Sequence, residues 1–306
     1  MVAQTTTGIR ALQIAFIGFG EAGSAIASGW EPDRHSVAAY DIKTEAQATV
    51  VDIRARCAEH GVICCATLAE ALAGAELVFS TVTADQAVVA ATQAAAHLPR
   101  DAFFCDLNSC APSSKRRAEA IIAGVGARYV DVAVMAPVWP KRNMVPLLIS
   151  GPHAAAACPV LTSLPMAPRV VTGAVGRASA IKMIRSVMVK GLEALTAECV
   201  LAAVAAGVED EVLPSLLHGH PHMDVAAAAA YNFERSMAHG ERRAAEMEEV
   251  AKTLADLGLP SGMSAATVHW QRAIAAAARA GADVENADGI QEIAAQLLPS
   301  IRRPPG

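Results

Sequence analysis

Aromatic residues are scarce in this chain, 4% of its 306 residues. Basic charge is not in excess either: the net charge is −5 and the pI about 6.0. A slightly acidic chain with no basic cluster lacks the electrostatic footprint of a nucleic-acid binder. The cysteines, Cys57, Cys64, Cys65, Cys105, Cys110, Cys158 and Cys199, are odd in number and form no CxxC pair. That pattern argues against a disulfide framework or a zinc site and suits thiols in a reducing cytoplasm. The opening MVAQTTTGIRALQ has neither the basic start nor the long apolar core of a signal peptide. The alanine-rich stretches are broken by charges such as Glu198 and Asp224, so no segment is expected to span a membrane. No internal repeat is visible.

What is present is a long chain, 53% hydrophobic, with much of that fraction alanine and therefore helix propensity rather than bulk. Its length allows two domains. Up to residue 134 the pattern alternates. Strands are predicted at LQIAFIG (12–18), SVAAYD (36–41), VICC (62–65), ELVFSTV (76–82), AFFCDL (102–107) and RYVDVAV (128–134). Helices are predicted at 21–30, 44–59, 84–97 and 112–124. This order implies an α/β fold, a Rossmann-type, mostly parallel sheet covered on both faces. From 177 to 298 only helical periodicity remains, interrupted by GVED, HGHPH, LGLPSG and AGADVENADG. The expected organisation is an α/β domain over 1–174, then an all-helical domain over 175–306, joined by a long helix.

The first predicted strand runs into IGFGEAGSA, in which Gly18, Gly20 and Gly23 have the GxGxxG spacing. The first glycine permits a tight turn. The second lets the backbone approach a pyrophosphate, and the third lets the helix pack close to the strand. Gly18, Phe19, Gly20, Glu21, Ala22 and Gly23 therefore form the candidate phosphate loop. Asp41 ends the second strand, where a carboxylate takes the ribose hydroxyls and repels a 2′-phosphate. NAD is the expected cofactor. NADP stays possible because Lys43 could reach a phosphate. Val82 and Thr83 are expected to end the fourth strand and to run along the cofactor.

In ASAIKMIRSVMVKGLEAL (178–195), Lys182, Ser186, Lys190 and Glu193 share one side of a helix, with Arg185 beside them. The remainder is apolar. Cations on such a helix are costly unless they meet water or a charged partner. The stripe is expected to face the cleft between the domains, with surface ion pairs such as Lys190 to Glu193 as the alternative.

The glycine fingerprint, DLNSCAP (106–112), YVDVAVMAP (129–137) and GRASAIKMIRS (176–186) resemble the β-hydroxyacid dehydrogenases, the family of 3-hydroxyisobutyrate and 6-phosphogluconate dehydrogenases. VMAPVWPKRNMVPLLISGP, KMIRSVMVKGLEAL and GERRAAEMEEVAKTLADLGLP look like a bacterial subgroup with a phosphogluconate-dehydrogenase-like C-terminal domain. The resemblance implies that Lys182 is the catalytic lysine and that Asn108 and Ser109 lie near the nicotinamide ribose. It also implies a small-molecule substrate and a homodimer formed through the helical domain. Three positions depart from the family pattern. Met135, Ala136 and Pro137 stand where a Ser-Gly-Gly substrate loop is usual. Ser186 stands where an asparagine holds substrate. Ala245 stands where a second lysine reaches the cofactor, with Arg242 and Arg243 a turn earlier. Met135, Ala136, Pro137, Arg185, Ser186, Lys190 and Arg243 are therefore the candidate substrate residues.

His218, His220 and His222 alternate in HGHPH, but only Asp224 lies near as a further ligand, so no metal is expected. The proline-bounded segment 137–146 holds Trp139, Lys141 and Arg142, which could meet an anionic or aromatic substrate. The functional expectation is hydride transfer between nicotinamide and an alcohol or carbonyl carbon, with Lys182 as general acid or base. In oxidation the lysine must act as base, which requires burial or a neighbouring cation to lower its pKa. The alternatives are an imine reductase and a non-catalytic dinucleotide-binding sensor. Both commonly lack the lysine that this chain keeps.

Overall fold

The computed structural model describes residues 11–31, 34–219, 224–282 and 289–301. The chain divides into two compact units, Met1–Lys182 and Met183–Gly306. The sequence reading sets its boundary at 174/175, ahead of the long helix; the compact units divide within that helix.

The first unit is built on one eight-stranded sheet. Its strands are β1 (Gln13–Ile17), β2 (Ser36–Tyr40), β3 (Ile63–Cys64), β4 (Leu77–Ser80), β5 (Phe103–Asp106), β6 (Arg128–Val134), β7 (Pro146–Ser150) and β8 (Ala167–Val170). The spatial order is β3-β2-β1-β4-β5-β6-β7-β8, and every neighbouring pair is parallel except β6 with β7. Helices α1 (Glu21–Ala27), α2 (Val50–Glu59), α3 (Leu68–Leu72), α4 (Ala87–Ala95), α5 (Pro112–Gly124) and α6 (Ala154–Ser163) cover it. Alternate strand residues feed opposite faces, as period two requires. Ile14, Phe16, Phe79, Phe103 and Cys105 join one core with Ile53 and Leu161. Ala15, Ile17, Val78, Phe104 and Tyr129 join the other with Leu72, Ala91 and Ile122. This is the expected Rossmann-type sheet, buried on both faces.

Four elements escape the sequence reading: α3, between the expected strands 62–65 and 76–82, and three further on. β7, α6 and β8 lie where it sees only connection. β7 opens on Pro146, α6 contains Pro159, and β8 is the short segment APRV. Proline in β8 is tolerated because β8 is the sheet's edge. The expected helix 44–59 is also divided, into a 3₁₀ turn (Ile42–Glu45) and α2.

The described part of the second unit is helical: α7 (Arg177–Ala206, entering from the first unit), α8 (Glu209–Gly219), α9 (Val225–Asp256), α10 (Gly262–Arg279) and α11 (Ile290–Ile301). The described ends of these helices fall at the four expected segments, of which residues 220–223 and 283–288 lie outside the described residues. Asp224 accepts from the Ala227 N–H at 2.9 Å and caps α9. Val200, Leu201, Phe233, Ile274 and Leu297 form the main core. Gly240 lets α9 lie close on α10; a Cβ there would stand 2.4 Å from the Gln271 carbonyl oxygen.

Candidate active site

The carboxyl ends of β1, β4 and β5, adjacent in the sheet, gather the residues of interest. Ligands bind there in open α/β sheets because the chain reverses direction on either side and opens a crevice. Gly18 follows β1 with φ +83, a conformation that side chains resist, and a Cβ there would lie 2.8 Å from the Thr81 carbonyl oxygen. Gly23 lets α1 approach: a Cβ would meet Gly18 O and Thr81 Oγ1, each at 3.1 Å. Gly20 is different. Its backbone is ordinary, φ −82 and ψ −151, and a Cβ there would meet no protein atom within 4 Å. The space over Gly20 is the cradle that a pyrophosphate needs, so the loop fits a dinucleotide. Thr81, which sequence reading missed, donates from Oγ1 to Gly18 O at 2.6 Å and braces the turn.

Asp41 is buried, and both carboxylate oxygens are engaged: Oδ2 accepts from Phe19 N–H at 2.8 Å and Oδ1 from Lys43 N–H at 3.0 Å. The acid therefore ties the glycine loop to the end of β2, a task not foreseen from sequence. A carboxylate offers about four lone-pair sites, so capacity for ribose hydroxyls remains. Arg56 on α2 donates to the Phe19 carbonyl oxygen at 3.2 Å, placing a cation beside the loop. The Phe19 side chain is buried in the core, while Glu21 and Ala22 open α1.

β4 ends at Ser80, so Val82 and Thr83 lie just beyond the strand rather than in it. Val82 N–H donates to Asn108 Oδ1 at 2.7 Å, and Asn108 Nδ2 donates to Ser80 Oγ at 2.9 Å. Asn108 is thus a buried strut across the ends of β4 and β5. Ser109, next along the chain, is only half-buried. Its Oγ accepts a hydrogen bond from Lys182 Nζ at 2.5 Å. Seventy-three residues separate the two, and the fold brings them into direct contact.

A polar cluster beneath this pair was not recognised from sequence. Lys115 on α5 is fully buried. Its Nζ reaches Asp106 Oδ1 at 2.9 Å, the Asp106 carbonyl oxygen at 2.7 Å and Asp131 Oδ1 at 3.7 Å. Tyr129 donates its hydroxyl to Asp106 Oδ2 at 2.6 Å. Burial pulls the Lys115 amine down, but Asp106, Cys110 and Asp131 outweigh it and hold it above the usual lysine value. The signal was legible in part: an aspartate inside each of the apolar strands FFCD and RYVDVAV needs a partner.

The substrate candidates divide. Met135 and Ala136 are half-buried after β6, and Pro137 is exposed. Arg142 donates to the Ser28 carbonyl oxygen at 3.2 Å, fastening the 137–146 segment to the end of α1; Trp139 and Lys141 are exposed. Within the helical unit the polar stripe of α7 turns inward. Lys190 pairs with Glu246 on α9, not with Glu193. Glu193 pairs with Arg243 and accepts from Gln271 Nε2 at 3.1 Å. Lys190 and Arg243 are therefore engaged in ion pairs inside the helical unit. Polar side chains go inward there because charged partners on α9 and an amide on α10 await them, and apolar residues of α7 are left outside. Ser186 is buried, and Arg185 is exposed. His218 ends α8; His220 and His222 lie outside the described residues. Among the described residues no three His, Cys, Asp or Glu side chains gather as a metal site, and no helix is long and apolar enough to cross a membrane.

Comparison with known proteins bears on this geometry. Residues 13–164 match the NAD binding domain of 6-phosphogluconate dehydrogenase, and residues 203–274 match a domain of unknown function (DUF1932). The chain belongs to the family that these domains define, a phosphogluconate-dehydrogenase-type NAD-binding domain followed by a DUF1932 domain. A solved structure of a conserved hypothetical protein from Sinorhizobium meliloti 1021 is 37% identical, with 98% of this chain and 100% of that one covered and a TM-score of 0.73. The fold is also that of Mycobacterium tuberculosis 3-hydroxyisobutyrate dehydrogenase, solved with L-serine (18% identity, 95% and 99% covered, TM-score 0.68). An imine reductase variant from Myxococcus stipitatus, solved with NAD+, shares it as well (18% identity, 94% and 100% covered, TM-score 0.56). A search of curated proteins gives no match.

Proposed function

We propose that the protein is an NAD(P)-dependent oxidoreductase acting on the alcohol or carbonyl group of a small organic molecule. The observation that carries the reading is the contact of Lys182 with Ser109 at the carboxyl end of β5, beside the glycine loop of a matched NAD-binding domain. The nicotinamide, when bound, supplies or accepts the hydride. Lys182 gives its proton to the substrate oxygen in reduction and takes it in oxidation. Because the Ser109 oxygen accepts from Lys182, its own hydrogen is free to point at the same substrate oxygen, and the two donors together stabilise developing negative charge there. Met135, Ala136, Pro137, Arg185 and Ser186 stay as substrate candidates. Without the Ser-Gly-Gly loop, the usual small 3-hydroxy acid is disfavoured. The test is NADH oxidation over a panel of aldehydes, ketones, 2- and 3-oxo acids and imines. Turnover with carbonyls and not imines supports the reading; turnover with imines alone favours the reductase alternative.

In this reading Asp41 selects NAD. Asp41→Ala removes a ribose acceptor and a charge that repels a 2′-phosphate. Calorimetric titration of both cofactors should show the NADPH-to-NADH affinity ratio rising tenfold or so, about 1.4 kcal/mol. Both affinities should also weaken, because Phe19 N–H loses its acceptor. A wild-type protein that already prefers NADPH by that margin contradicts the assignment.

The assembly proposed is a homodimer. On α7, Ile184, Met188, Leu192 and Leu195 share one face and are exposed, Met188 by 63%. An apolar stripe left outside while polar residues are paired inside is suited to a second copy. Light scattering should give about twice the 31.6 kDa chain mass, and Met188→Glu with Leu195→Glu should halve it. A monomeric wild type contradicts the proposal.

A further inference from the structure

The buried cluster around Lys115 holds two carboxylates and one ammonium, all without solvent exposure. Such a group is a poor choice for stability alone. Desolvation of the charges offsets most of their attraction, and apolar side chains of similar volume commonly serve as well. Its hydrogen bonds lead to two places.

The first is the end of β5. Asp106 Oδ1, which Lys115 holds, also accepts from Asn108 N–H at 3.0 Å. Asn108 in turn accepts from Val82 N–H and donates to Ser80 Oγ. The turn that presents Ser109 is therefore fixed by the Asp106 carboxylate.

The second is the start of α7. Asp131 Oδ2 accepts from Gly176 N–H at 3.0 Å, Ser179 N–H at 3.2 Å and Ser150 Oγ at 2.9 Å. Asp131 Oδ1 accepts from Ser179 Oγ at 2.5 Å, and Ser150 Oγ accepts from Ala178 N–H at 3.0 Å. The N–H groups that a helix leaves unpaired in its first turn are met here by a strand carboxylate and a strand hydroxyl. Lys182 lies one turn beyond Ser179.

We propose that Lys115 is a positioning residue for Lys182: gripping Asp106 and Asp131 together, it sets the Ser109 turn and the first turn of α7 in one frame and so fixes the Lys182–Ser109 contact. The functional meaning rests on the reading of Lys182 as the proton-transfer group. Displacement of such a group by about 1 Å is enough to cost a hundredfold in rate. The geometric claim stands apart from that reading and can be tested without a substrate.

The probe is acetic anhydride at neutral pH, with the labelling rate of Lys182 followed by peptide mass spectrometry against exposed Lys43 and Lys141 as internal standards. Ser109→Ala removes one partner of the amine directly and should raise the Lys182 rate at least about threefold. Lys115→Met should raise it comparably, with the protein folded and NADH still bound. The double variant should gain little over either single one, since both act on the same contact. If Lys115→Met does not fold, Lys115→Gln, which keeps a hydrogen-bond donor for Asp106 while removing the bridging charge, takes its place throughout. An unchanged Lys182 rate in the folded, NADH-binding variant overturns the proposal, as do effects that multiply independently in the double variant. Turnover retained by Lys182→Met would sink the functional reading instead, and would leave the labelling result as it stands.

Discussion

Lys182→Met should lose a hundredfold or more in turnover while keeping the fold and the affinity for NADH. That factor is the usual scale of general acid–base catalysis, about 2.7 kcal/mol of transition-state stabilisation. The thioether can neither give nor take a proton, and Ser109 loses the donor that now reaches it at 2.5 Å. Lys182→Arg should fail almost as badly, because a guanidinium does not release its proton near neutral pH. Lys190→Met supplies the contrast. Lys190 lies on the same side of the helix, but its partner is Glu246 on α9. Its loss should lower the melting temperature by removing one half of a largely buried ion pair, while folded molecules turn over normally. Steady-state kinetics beside thermal unfolding separates the two. Turnover preserved in Lys182→Met, or abolished in a folded Lys190→Met, would show the lysine to be misassigned.

Gly20→Val should abolish NADH binding at little structural cost. Valine fits the backbone angles, and its Cβ would clash with no protein atom. The penalty to the free protein is confined to a poorer helix N-cap, about 1 kcal/mol. The branched side chain, however, fills the space over the loop where the pyrophosphate must come. In wild type, NADH at a hundredfold over its Kd should stabilise the fold by about 2.7 kcal/mol, read as a rise in melting temperature. In Gly20→Val that rise should vanish. A variant that melts normally and still shifts with NADH would remove the glycine loop from the cofactor site. Gly18→Val is less informative, since the positive φ and the Thr81 carbonyl would disrupt the loop itself.

The glycine loop was legible in the sequence because its requirements are local. Close approach, tight turn and helix packing each demand a missing side chain, at fixed spacing after a strand. The alternation of strands and helices up to β6, apart from the five-residue α3, was legible for the same reason, and so were the described ends of the C-terminal helices. β7, α6 and β8 were not. Each is short or interrupted by proline, and each is held by sheet partners rather than by its own periodicity. The α7 stripe shows a different limit. Periodicity shows that Lys190 and Glu193 share a side, but which side faces inward depends on Glu246, Arg243 and Gln271, on helices fifty or more residues away in sequence. The Lys182–Ser109 pair was accessible only through family resemblance. The Lys115 cluster needed the fold itself, since α5, β5, β6, β7 and α7 each contribute to it and no window of sequence contains them together.

Hydride transfer itself can be observed directly. The protein is incubated with the carbonyl panel and NADH carrying deuterium at both C4 positions, and the products are examined by mass spectrometry. One deuterium bound to the former carbonyl carbon of an alcohol product, formed by wild type and not by Lys182→Met, is the expected result. NADH bound with no deuterated alcohol from any aldehyde, ketone or oxo acid would contradict the proposal that this chain is a carbonyl-reducing, alcohol-oxidising enzyme.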